Sequence, residues 1–179
     1  MNVKYLALLA AIGLVTPVEA TPFITIADIR FFLASSVPSG NPMVREYVPS
    51  GETLDNWEQL AAVRIFPRLK DPHAFLDGLG HQVVKRNPET RYWLVQNNET
   101  KDLVLDFMAF PPSTTKPFYA EWNLWRASYV DGKGLVVYQY ARRIYTVGPE
   151  FGAVVKAARE KMYNAFAAAT FVELEDAKQ

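Results

Sequence analysis

The spacing of apolar residues changes period several times along this chain, and each change marks an element. From Arg91 to Tyr145 the period is two. Tyr92 to Gln96 and Leu103 to Phe110 read as strands around the polar run Asn97-Asn98-Glu99-Thr100-Lys101. Phe118 to Val130 and Leu135 to Tyr145 read as strands around Asp131-Gly132-Lys133-Gly134. Both loops carry turn residues between alternating segments, which predicts two consecutive hairpins. In the last strand Leu135, Val137, Gln139, Ala141 and Arg143 share one face, and Val136, Tyr138, Tyr140, Arg142 and Ile144 share the other. Both rows turn polar toward the strand's end, which predicts that this end lies near water.

Helical spacing brackets this block. Asp71 is a good N-cap, Pro72 suits the first helical position, and Phe75, Leu76, Leu79 and Val83 follow on one side. Asn87-Pro88 stops that helix. A final helix is predicted from Pro149, with Glu150 near its positive end and an apolar stripe of Phe151, Val154, Val155, Ala158, Met162 and Phe166. Upstream, Ile24 to Ala34 reads as a strand or a short helix, and Arg45 to Val48 as a short strand ended by Pro49-Ser50-Gly51. Thr53 to Leu60 suits a helical turn or two, and Ala62 to Phe66 a buried strand closed by Pro67. The sum is an α+β fold: an antiparallel sheet of two hairpins plus N-terminal strands, packed by a central and a C-terminal helix.

Residues 1–20 break the pattern. Lys4 precedes an apolar stretch from Tyr5 to Val15, Thr16-Pro17 ends it, and Val18-Glu19-Ala20 supplies small or β-branched residues for cleavage. That layout is a secretory signal, too short to span a bilayer. The expectation is a signal over 1–20, one domain over 21–172 and a polar tail over 173–179, placed in the periplasm or secreted. The chain has no cysteine, so disulfides, thiolate ligands and the cysteine-linked lipid of a lipoprotein are not expected. A domain of this size can bury enough surface to be stable without staples. Its 19 basic and 19 acidic residues cancel, without Lys/Arg clusters. That argues against nucleic-acid binding and against a polybasic membrane patch.

Candidate chemistry is sparse. His73, Asp77 and His81 recur every four residues and share one side of the first helix, a stripe able to offer two imidazoles and a carboxylate to a divalent metal. No serine sits in a nucleophile elbow, and neither Gly78-Leu79-Gly80 nor Gly132-Lys133-Gly134 matches a phosphate loop, so no cofactor is expected. Asp106 and Glu121 lie inside strands. They read as cross-strand partners of Arg142 and Arg126, or as an acid/base pair of the kind glycosidases use. The aromatics stand out more. Trp122 and Trp125 point to opposite faces of one strand, close in the pattern to Arg126 and Arg142. An exposed aromatic face with arginines suits a protein, peptide or sugar ligand.

The stretch Glu46-Tyr47-Val48-Pro49-Ser50-Gly51-Glu52, followed by Leu54-Asp55-Asn56-Trp57, resembles a motif of small exported bacterial proteins without an assigned function. The order of elements resembles the PsbP-like fold, and this resemblance implies an exported, non-catalytic accessory or assembly factor. The expected function is therefore a binding module of the cell envelope that meets another envelope or secreted protein. Its surface would combine Glu52, Trp57, Trp122, Trp125, Arg126 and Arg142. A metal-dependent hydrolase on the His73 helix and a secreted effector or inhibitor are the alternatives.

Overall fold

A computed structural model describes residues 21–169 apart from 97–101, 112–114, 116 and 147. The expected signal, the 97–101 loop and the polar tail lie outside the described residues. One antiparallel sheet of eight strands runs in the order β1-β2-β3-β4-β8-β7-β6-β5. The strands are β1 Phe23–Ile26, β2 Ile29–Val37, β3 Met43–Pro49, β4 Gln59–Phe66, β5 Tyr92–Gln96, β6 Leu103–Ala109, β7 Ala120–Val130 and β8 Gly134–Ile144. Helix α1 spans Pro72–Arg86 and α2 spans Phe151–Ala168. The fold is thus α+β, built from two four-stranded meanders that meet where β4 pairs with β8. No helix among the described residues is long and apolar enough to cross a membrane.

Each helix covers one face. On the α2 face, Ala158, Met162 and Phe166 pack on Ile26, Phe31, Val63, Trp122, Leu124 and Tyr140, drawing both meanders into one core. On the other face α1 lies across β5, β6 and β7. There Leu76 is fully buried with Leu105, Phe107, Leu135 and Val137. The start of α1 follows from its cap: the Asp71 side chain accepts the Ala74 N–H at 3.0 Å, with Pro72 in the first turn. Two upstream segments differ from the sequence expectation. Ile24 to Ala34 is a hairpin, turned at Ala27 and Asp28 with φ of 48° and 66°. Thr53 to Leu60 is no helix; it is a turn leading into β4 at Gln59.

Candidate functional site

The α1 face is only partly covered. Helix α1 shields the β5–β7 side, and the turn after β3 folds Leu54 and Trp57 onto Val48, Leu60, Ala62 and Ala141 at the other end. A groove of about 630 Å³ opens beside the last turn of α1, walled by Val83, Pro88, Phe107 and Phe110 and floored by Asn123, Trp125 and Gln139.

The floor is polar by a row of strand residues linked diagonally across the sheet. Glu46 on β3 lies 3.7 Å from the Arg64 guanidinium on β4. Arg64 Nη1 donates to Gln139 Oε1 on β8 at 2.6 Å, and Gln139 Nε2 donates to Asn123 Oδ1 on β7 at 2.9 Å. Asn123 Nδ2 then donates to Glu121 Oε1 at 3.0 Å, at the groove's rim. Every link joins residues two positions away from the direct register partner or along the same strand. Asn123 is 2% exposed and Gln139 8%, so these carboxamides are fixed by their bonds instead of by water. Arg64 also lies over the Trp125 indole, 4.9 Å from the ring centroid. Burial pushes the Arg64 pKa down from its ordinary value, and the Glu46 carboxylate works against that shift.

The residues singled out from sequence scatter. Trp125 alone among the six binding candidates lines this groove. Glu52 closes the turn after β3: one carboxylate oxygen accepts the N–H groups of Glu58 at 2.7 Å and Gln59 at 3.0 Å. Trp57 is buried against Arg143. Trp122 is completely buried beneath α2, its Nε1 donating to Asp106 Oδ1 at 2.9 Å. Arg126 is buried too and caps α2, donating to the carbonyls of Phe166 (3.3 Å), Ala167 (2.6 Å) and Ala169 (2.7 Å). Arg142 is half-buried on the α2 face, opposite Gln59 and Trp122 in register. These six therefore make no common surface, because helix coverage and β alternation divide them between two faces.

The acid candidates separate as well. Asp106 faces α2 and binds Arg159 at 2.7 Å, whereas Glu121 lies on the opposite face, so they form no acid/base pair. Asp106 takes Arg159, and not Arg142, as its cation. On α1, His81 Nδ1 stands 3.4 Å from Asp77 Oδ2 and 2.9 Å from the Asp77 carbonyl oxygen; neither contact involves His73. Among the described residues no group of three His, Asp or Glu stands together to hold a metal ion. At the polar end of β8, Arg142 and Arg143 are half-buried, Arg143 against Trp57, and Tyr145 just beyond the strand is exposed.

Arg64, Asn123 and Gln139 are not among the candidate site residues drawn from the sequence. Their one signal is position: each is a polar residue in the interior of a mainly apolar strand, and such residues need partners once the sheet forms.

No curated protein and no solved structure matches this chain. The sequence profile of a family without an assigned function matches residues 18–171, and the chain belongs to that uncharacterised family.

Proposed function

We propose that the protein is an exported, non-enzymatic binding module whose ligand or partner segment lies in the groove beside α1. One observation carries this reading: the bonded Glu46–Arg64–Gln139–Asn123–Glu121 row, buried at Gln139 and Asn123, which ends in the groove next to Trp125. A concave, mainly apolar site with a few fixed polar groups is the usual build of a binding pocket. Among the described residues the lining offers carboxamides, carboxylates, an arginine and an indole, a set suited to holding a ligand. The signal-like pattern of residues 1–20 supports export. The likeness in element order to PsbP-like proteins supports an accessory or assembly role beside another envelope or secreted protein.

The test is capture of the tagged protein from its native cell envelope after crosslinking, with mass spectrometry of what it holds. Two variants accompany it: Trp125→Ala, which removes the indole, and Ala109→Trp, which fills the groove. A species held by the native chain and lost from both variants is expected. Equal capture by all three chains refutes the groove as the binding surface.

A further inference from the structure

We infer that the groove is a saccharide site, taking a neutral, polyhydroxylated ligand with one ring stacked on Trp125. This rests on the groove being the binding surface. The indole is held from two directions: Arg64 lies over the ring, and Trp125 Nε1 donates to Asn123 Oδ1 at 3.4 Å. With Arg64 on one face, the part of the ring that lines the groove is the fixed apolar platform, which the C–H face of a pyranose matches without ordering cost on the protein side.

The hydrogen-bonding capacity left on the floor is mixed in kind. Glu121 Oε1 accepts from Asn123, and among the described residues its second carboxylate oxygen accepts nothing. Gln139 spends one of its two amide hydrogens on Asn123, and its oxygen accepts from Arg64. Both residues line the groove, so its lining keeps one acceptor and one donor unspent. A hydroxyl group both donates and accepts, so neighbouring hydroxyls satisfy both.

Charge narrows the choice. Glu89 and Glu121 line the groove together with Arg86, and Arg64 stacks on the Trp125 ring. A strongly charged ligand of either sign would meet repulsion from one set or the other, whereas a neutral one meets neither. The volume of about 630 Å³ accommodates more than a single ring, so an oligosaccharide segment fits better than a monosaccharide.

The test is calorimetric titration of the full chain with maltotriose, cellotriose and triacetylchitotriose, with trilysine and triproline as comparison ligands. At least one trisaccharide is expected to bind. Trp125→Ala and the shape-preserving Glu121→Gln should each weaken it by about tenfold, the scale of one stacked ring or one charged hydrogen bond. Trp93→Ala, on the opposite face, should leave it unchanged. Binding by no trisaccharide, or binding indifferent to both groove variants, overturns the saccharide assignment, and so does preference for either peptide. If envelope capture still depends on Trp125 and Ala109 in that case, the groove stands and only its ligand class falls. If capture ignores both variants, the groove itself falls.

Discussion

The Arg143 guanidinium carbon lies 3.8 Å from the centroid of the Trp57 ring, joining the last strand to the turn after β3. Arg143 Nη1 also donates to the Trp57 carbonyl oxygen at 3.2 Å, and its backbone N–H donates to the Glu58 carbonyl at 2.8 Å. Tyr119 lies on the same guanidinium at 4.9 Å. The turn after β3 is therefore held on the sheet by one residue at three points, two through its side chain and one through its backbone.

Trp57→Ala should destabilise the fold by about 3–5 kcal/mol, as expected for a buried indole. Arg143→Ala should cost less, and a double-mutant cycle in urea should give a coupling of about 1–2 kcal/mol between the two. Additive losses would show that the stack contributes nothing beyond its separate packing.

The C-terminus of α2 depends on a residue from β7. The helix has no basic residue in its last turn, and Arg126 supplies the missing donors to three carbonyls. Arg126→Met keeps much of the stem's packing but leaves those carbonyls without their cation. Amide hydrogen exchange near Phe166 should rise at least about tenfold in this variant, while exchange in α1 stays unchanged. Uniform acceleration in both helices would mean that Arg126 serves global stability and not the local cap.

Much of the framework was legible, because its signals are local. The Asp71-Pro72 start and the period-two block specify α1 and β5 to β8 from neighbouring residues alone. The β1–β2 hairpin was not, since Ala27 and Asp28 make the positive-φ turn without the glycine that usually announces it. Thr53 to Leu60 has helical spacing, yet Glu52 binds two backbone N–H groups further on and Trp57 is drawn to Arg143. Tertiary contacts outrank a weak periodicity there. The site was the least legible part. Whether Trp122 or Trp125 meets a ligand depends on which helix covers which face, and strand alternation alone leaves that choice open.

Two glycines that share a positive φ should respond differently to alanine. Gly132 (φ 74°) sits in the β7–β8 turn and Gly134 (φ 91°) opens β8. A Cβ on Gly132 meets nothing within 4 Å, but on Gly134 it falls 2.5 Å from the Phe66 carbonyl oxygen. Gly132→Ala should cost about 1 kcal/mol from backbone strain alone. Gly134→Ala should cost more, on the order of 2–4 kcal/mol, because the contact is with backbone that cannot turn aside. Similar melting temperatures for the two variants would contradict this.

Alkaline pH should weaken the fold through buried tyrosines. Burial is the largest cause raising the pKa of Tyr47, Tyr138, Tyr140 and Tyr163 above the ordinary 10.0. A raised folded pKa means that the unfolded chain loses these protons first. The stability tied to them is complete below pH 10 and falls as pH rises toward the folded values. Urea unfolding between pH 8 and 11 should show a plateau and then a decline, with Tyr140 contributing at most about 1.4 kcal/mol per pH unit. Tyr140→Phe should flatten the decline while losing the 2.8 Å bond to Gln59 Oε1. A stability that stays level through pH 11 would contradict the effect of burial.

The β4–β8 seam governs how the chain must assemble itself in time. Every other strand pairing joins sequence neighbours, so each meander can form by short loop closures. The seam instead joins distant positions: Tyr140 and Gln59, bonded across it, are 81 residues apart. The costly closure is thereby concentrated in one late docking step between two nearly finished halves. The refolding rate should then be set by that encounter, and halves cut in the Arg68–Lys70 segment between β4 and α1 should recombine along the β4–β8 edge.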